Sequence, residues 1–405
     1  MKLLLAALLL TPILQAQNPL PSADPAALEI FRQTASTSMV LVVVRNNEIH
    51  MQGFGSVTPG SPQAPGPNSL LRLCSITKIF ATDLLIKLAN DKTVRLDDPL
   101  QIFAPTGKLV PVETLHAPAA RAITLADLAT HTAGLPREMA PTPAGTPPFT
   151  FPSFDQRWSW LPNQKLRSAP GVSALYSNVG FDLLGDALAS AAHTSYPQLL
   201  ADRTTTPLGL RDTTFTPTPA QCSRLLLGFH EAQQPNPCTP TDESAGSSGL
   251  YSTPTDMARW LQYLLGVSTL KQNPAAQATY LQPANLAAVK GLNHAGDPNG
   301  IGLGWISLDP PQVATRIVEK TGGGGGFTTY IALDQAHHTG VFIALTEGNG
   351  PGHLNPFRET NNILLALSNL PPMPPEPIRP PAPHRKAATH KPTRKSSSRK
   401  ARRPR

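Results

Sequence analysis

Two pairs of strand-like runs sit at opposite ends of this 405-residue chain, and that placement limits its fold more than any other feature. From Met39 to Arg45 the sequence is a β-branched run, and Asn46-Asn47 can turn it back into Ile49 to Val57 as a hairpin. Near the other end, Phe327 to Leu333 and Gly340 to Thr346 read as a second hairpin, and a last helix is predicted over about Phe357 to Leu367. Between them lie helices and long Pro/Gly-rich loops such as Pro141 to Pro152. One helix is plain: Met257, Trp260, Leu261, Leu264 and Leu265 form its stripe, with Thr253 as N-cap, Pro254 as first residue and Gly266 as stop. The expectation is an α+β fold. An antiparallel sheet built from residues 39–60 and 300–369, flanked by helices, would carry an inserted, mainly helical lobe and leave a cleft between the two.

Three short patterns supply chemistry for such a cleft. The first is Ser75-Ile76-Thr77-Lys78. A serine hydroxyl needs a base at neutral pH. If Ser75 opens a helix, Lys78 at i+3 lies on the same face beside it, and burial would favour its neutral form. Ile76, Phe80, Leu84 and Leu88 recur at i+4 and support that helix. Two further Ser-x-x-Lys matches, Ser268 to Lys271 and Ser397 to Lys400, have no apolar periodicity behind them and read as chance.

The second pattern, Tyr176-Ser177-Asn178, precedes an amphipathic run with Val179, Leu183, Leu184 and Leu188 on one face, so the triplet falls in a loop or first turn. A tyrosine between two lysines can be held as phenolate or relay protons, and Asn178 can donate to and accept from a substrate amide. The plainer alternative is a loop tyrosine with a capping asparagine. The third pattern, Lys320-Thr321-Gly322, follows a β-prone run from Thr315 to Val318 and precedes the one starting at Phe327. A strand edge there could pair with substrate backbone, with Lys320 and Thr321 recognising a carboxylate. The glycine run from Gly322 to Gly326 is not a phosphate loop, because no Lys-Ser/Thr follows it; its plainer reading is a glycine-rich hairpin connection.

Taken in this order, the three patterns resemble those of the penicillin-recognising serine hydrolases: class C β-lactamases, low-molecular-weight D-alanyl-D-alanine peptidases and related esterases. Leu125 to Pro136, Leu208 to Phe215, Ser248 to Trp260 and Lys320 to Tyr330 are also family-like. The AmpH-type D-alanyl-D-alanine carboxypeptidase/endopeptidases are the most similar subgroup. The resemblance implies a β-lactamase/DD-peptidase-like fold, with Ser75 as acylated nucleophile, Lys78 as its base and Tyr176 as general acid/base. It further implies Asn178 as a ligand of the substrate amide, Lys320 and Thr321 as carboxylate anchors, and the N–H groups of Ser75 and Gly323 as an oxyanion hole. Gly322 completes the strand motif. Where the family commonly has Ser or Thr after Lys-Thr-Gly, this chain has Gly323, which removes a hydroxyl contact and weighs against efficient β-lactam hydrolysis.

Composition adds location. Lys2, the apolar run from Leu3 to Leu10 and a break ending at Ala16 read as a signal peptide over 1–16, too short to span a bilayer. The catalytic domain would occupy 17–370. From Pro371 to Arg405 the chain holds eleven Lys/Arg against Glu376 alone, so the net charge of +8 describes this Pro-rich basic tail rather than the enzyme. Such a tail has no core to bury and would bind anionic envelope polymers weakly and without specificity. Cys222 and Cys238 could pair in an oxidising compartment, while Cys74 reads as a small buried hydrophobe. His230 between the two cysteines lacks a fourth ligand, so no metal and no cofactor is expected. His131 and the His337-His338 pair read as structural. The favoured expectation, implied by the resemblance, is an exported serine hydrolase, periplasmic or secreted, that cleaves D-alanyl-D-alanine-type cell-wall peptides as a carboxypeptidase/endopeptidase through an acyl-enzyme and binds penicillins, with no specific nucleic acid as partner. A β-lactamase, an esterase and a catalytically idle wall-peptide binder are the alternatives.

Overall fold

The computed structural model describes residues 19–374, except 113–120, 140–145, 147–149, 231–233, 236, 271 and 347–353. The expected signal peptide, the tail beyond residue 374 and most of the loop from Pro141 fall outside the described residues.

Both chain ends do build one sheet. Strands β1 (Ser38–Arg45), β2 (Glu48–Gly55), β3 (Gly300–Ile301), β4 (Ile306–Leu308), β5 (Ile317–Gly324), β6 (Phe327–Asp334) and β7 (Thr339–Thr346) form a seven-stranded sheet in the order β2-β1-β7-β6-β5-β4-β3. Every pairing is antiparallel. The closure is β1 against β7, with Met39 opposite Leu345 and Arg45 opposite Thr339. All eight residues of β1 are buried because helices cover both faces of the sheet. Its alternate side chains divide between two cores, as the two-residue period of a strand requires. Val40, Val42 and Val44 join the larger core with helices α2 (Thr77–Asn90), α3 (Asn178–Ala191) and α4 (Pro254–Leu264). Met39, Leu41 and Val43 join the smaller one with α1 (Asp24–Gln33) and α5 (Pro356–Leu367).

The third pattern sits further inside a strand than expected. The run from Thr315 does not end before Lys320; β5 begins at Ile317 and carries Lys320-Thr321-Gly322 within it. On its outer side β5 pairs with β4 only as far as Glu319 opposite Ile306. From Lys320 onward that outer edge faces the lobe. The α4 boundaries follow their signals: the Thr253 side chain accepts from Asp256 N, Pro254 opens the helix, and Gly266 lies just past its end at φ +68°.

Candidate active site

Ser75 lies in a short 3-10 turn, Cys74–Ile76, that runs directly into α2. The preceding residue, Cys74, holds φ +51°, a left-handed conformation that costs a non-glycine residue of the order of 1 kcal/mol. Bonds from the surroundings offset that cost: the Cys74 thiol donates to Gly324 O at 3.2 Å, and Thr329 Oγ1 donates to Leu73 O at 2.9 Å. Both partners belong to the β5–β6 hairpin, so the nucleophile turn is fastened to the strand that carries Lys320.

Gly322 is what lets the two come together. A Cβ there would meet Thr329 Oγ1 at 2.2 Å, Leu73 O at 2.8 Å and Ser75 N at 3.1 Å. At Gly323 a Cβ would meet nothing within 4 Å, because that position faces the open cleft. The two adjacent glycines therefore do different things. The first admits the Ser75 turn, and the second leaves room for a ligand beside the strand.

Two side chains converge on Ser75 Oγ. The Tyr176 hydroxyl donates to it at 2.5 Å and Lys78 Nζ donates to it at 3.3 Å. Lys78 is fully buried and its amine also donates to Asn178 Oδ1 at 2.6 Å and to Ser247 O at 2.8 Å. Burial pushes Lys78 down to about 7, outweighing the opposite pull of Asp182 and Glu138. An amine titrating there is partly neutral at physiological pH and can accept a proton.

Tyr176 is held from several sides. It follows the short strand Ser173–Leu175, its N–H donates to Lys290 O at 3.1 Å, and the next residue, Ser177, caps α3 by accepting from Gly180 N at 2.9 Å. The cap is thus Ser177, and Asn178 is the first helical residue. Lys78 Nζ and Lys320 Nζ lie 4.9 and 5.3 Å from the Tyr176 ring centroid, and the Arg137 guanidinium lies 4.9 Å from it. Three basic side chains thus surround one aromatic ring and hold it in place beside Ser75. Lys320 is itself only 3% exposed, donates to Thr321 O at 3.0 Å, and is pushed down by burial. Its amine thus acts on a cleft ligand mainly through its field, whereas half-buried Thr321 is open to contact.

His131 has a structural place directly behind the site. Its ring stacks on Tyr176 at 4.5 Å and Nδ1 accepts from Ser177 N at 3.1 Å, which puts the proton on Nε2, a buried atom without a partner. Burial, with Lys78, Lys320 and Arg137 adding to it, holds this imidazole neutral well below its usual range. Asn178 lies between the lysine and the cleft mouth. Its Oδ1 accepts from Lys78 and its Nδ2 donates to Glu138, so one N–H and one Oδ1 lone pair are left for a ligand. Sequence reasoning missed Glu138, Arg137, Asp182 and the Ser247 carbonyl. Only the first two carried any signal, as adjacent charges just after the family-like segment from Leu125 to Pro136.

The other singled-out residues take structural places. Cys222 and Cys238 are disulfide-bonded, Cys74 is 4% exposed, and His337 binds Asp334 at the β6–β7 turn. Ser268 lies past Gly266 with its hydroxyl on Leu270 O; the match at Ser397 lies outside the described residues.

Comparison with known proteins agrees with this arrangement. The family model described as Beta-lactamase matches residues 26–367. The D-alanyl-D-alanine-carboxypeptidase/endopeptidase AmpH of Escherichia coli is 38% identical, over 89% of this chain and 93% of that protein. A beta-lactamase of the same organism is 27% identical, over 81% and 88%. Among solved structures, a beta-lactamase/D-alanine carboxypeptidase from Yersinia pestis complexed with citrate superimposes with a TM-score of 0.80 at 40% identity, covering 86% of this chain and 98% of that one. A class C beta lactamase from Rhodobacter sphaeroides, at 22% identity and a TM-score of 0.66, shares the fold. The chain is a member of the beta-lactamase family of serine hydrolases.

Proposed function

We propose that this protein is a D-alanyl-D-alanine carboxypeptidase/endopeptidase that cleaves cell-wall peptides through an acyl-enzyme on Ser75. The observation that carries the reading is the convergence of Tyr176 and Lys78 on one buried hydroxyl, at 2.5 and 3.3 Å, from separate segments of chain. Neutral Lys78 takes the Ser75 proton as Oγ attacks the scissile carbonyl. The carbonyl oxygen, now negative, is met by the N–H groups of Ser75 and Gly323, the latter on the open edge of β5. Tyr176 passes its proton to the leaving nitrogen and regains one from Lys78, so D-alanine departs with a neutral amine and the acyl group stays on Ser75. Water then attacks the ester, giving up its proton to the same pair. Thr321, with the fields of Lys320 and Arg137, receives the terminal carboxylate.

Similarity to the Escherichia coli AmpH protein over most of both chains supports the substrate class. The Cys222–Cys238 disulfide and the leader-like first residues support export to the periplasm or beyond. The basic tail is proposed to add weak, salt-sensitive attraction to anionic envelope polymers. The test is D-alanine release from a peptide ending in D-alanyl-D-alanine, together with the lifetime of a penicillin adduct. Release abolished by Ser75→Ala, with a persistent adduct, supports the peptidase. Rapid penicillin turnover without D-alanine release would make the protein a β-lactamase instead.

A further inference from the structure

Behind Lys78, on the side away from the cleft, stands a carboxylate that the mechanism above does not use. Asp182 lies one turn after Asn178 on α3, so both face Lys78 from the same side of the helix. Asn178 reaches the amine directly at 2.6 Å. Asp182 reaches it through Ser247, whose carbonyl accepts from Lys78 Nζ at 2.8 Å and whose N–H donates to Asp182 Oδ1 at 3.0 Å. The Ser247 segment can lie this close to α3 because residue 246 is glycine; a Cβ there would fall 2.0 Å from Phe181 O.

The charges around the pair are few. Facing Asp182 are Lys78 from α2, Arg157 from the helix Phe154–Trp160, Asp186 one turn on, and the Tyr196 hydroxyl, a buried group without a partner. The fork of Arg157 is already engaged by Asp186, Nε to Oδ2 at 3.1 Å and Nη2 to Oδ1 at 2.8 Å. Facing Lys78 from the other side are Glu138 and Arg137 at the cleft mouth, of opposite sign, the Lys320 amine on β5, the Tyr176 phenol, the His131 ring and the Cys74 thiol. Two cations thus act on Asp182, Arg157 more strongly and Lys78 after it, and of these Lys78 is the one linked to it through Ser247.

We infer that Asp182 is a positioning residue that sets the protonation of Lys78 through Ser247, so that the Asp182–Lys78 pair holds the proton taken from Ser75. The proton moves from Ser75 Oγ to Lys78 Nζ, and the Asp182 carboxylate balances the ammonium so formed. Burial drives the two groups toward each other, the carboxyl up to about 7 and the amine down to about 7. Groups poised together share one proton at small cost and titrate as a pair.

This inference rests on the assignment of Ser75 and Lys78, and the test separates the two. The rate at which a fluorescent penicillin acylates the protein is followed from about pH 5 to about pH 9 for wild type, Asp182→Asn and Asp182→Ala. Asparagine keeps an acceptor for Ser247 N–H but removes the charge. The acid limb is expected to move to lower pH in both variants, by about one pH unit, as for loss of one nearby charge at an effective dielectric near 20. A lowered plateau with an unmoved limb in both variants would reduce Asp182 to a structural clamp and overturn the inference. Should the variants not fold, NMR of wild-type protein labelled at lysine Cε decides. Lys78 titrating in two steps supports the pair, and a single one-proton curve overturns it. Absence of any Ser75 adduct at every pH would instead overturn the parent assignment.

Discussion

Replacing Gly322 by alanine probes the contact on which the site geometry depends. The added Cβ would stand 2.2 Å from Thr329 Oγ1 and 2.8 Å from Leu73 O. Thr329 cannot turn away cheaply, because it is β-branched, fully buried and bonded to Leu73 O at 2.9 Å. Restoring even a tight contact requires a movement of about 0.8 Å between Gly322 and the Thr329 hydroxyl on β6, and because that hydroxyl is bonded to Leu73 O the shift is passed on to the Ser75 turn. Overpacking of this kind costs about 1–3 kcal/mol, and loss of the Thr329 bond adds about 1 kcal/mol. A total near 2.5 kcal/mol, spread over the unfolding entropy of roughly 350 folded residues, lowers Tm by about 3 °C. The effect on chemistry is larger: a misplacement of about 1 Å can cost ~10²-fold in rate. Differential scanning calorimetry and the rate of penicillin acylation measure the two. Gly323→Ala is the control for stability, since its Cβ meets open space and Tm should not move. If Gly322→Ala matched wild type in both Tm and acylation rate, the close approach of β5 to Ser75 would not be what organises the site.

Acylation should rise with pH through about 7, because Lys78 becomes a base as it loses its proton there; a flat profile in time-resolved labelling between about pH 5.5 and 8.5 would contradict this. Tyr176→Phe removes the phenol 2.5 Å from Ser75 Oγ and should slow acylation by ~10²–10⁴-fold while the ring still stacks on His131, so circular dichroism and Tm stay near wild type. Reducing the Cys222–Cys238 bond releases a loop of sequence separation 16, which should cost about 3 kcal/mol and lower Tm by about 4 °C without slowing labelling of Ser75.

The parts of the fold governed by local pattern were legible in sequence. Hairpins expected from Met39 and Phe327 appear as Ser38–Arg45 with Glu48–Gly55 and Phe327–Asp334 with Thr339–Thr346. Strand period and turn residues dictate them without help from the rest of the chain. Lys78 was readable for a similar reason, as i+3 on a helix from Ser75. What remained hidden involved distant backbone or reversed a residue's apparent purpose. The Ser247 carbonyl leaves no mark in a side-chain pattern. Asp182 resembled one more polar position on an amphipathic helix. The bonds of Asn178 to Lys78 and Glu138, which take half of its amide, could not be read from the Tyr-Ser-Asn pattern. The glycine run read as a loose connection, yet its first member is a steric requirement set by Thr329, a residue beyond the turn.

The central claim is that the chain folds to make one serine hydroxyl an acyl acceptor. Intact-mass measurement after exposure to a penicillin, with the adduct mapped by proteolysis, tests it most directly. One adduct per chain on the peptide containing Ser75, absent in Ser75→Ala, is the predicted result. A stable adduct on any other residue, or undiminished labelling of Ser75→Ala, would contradict it.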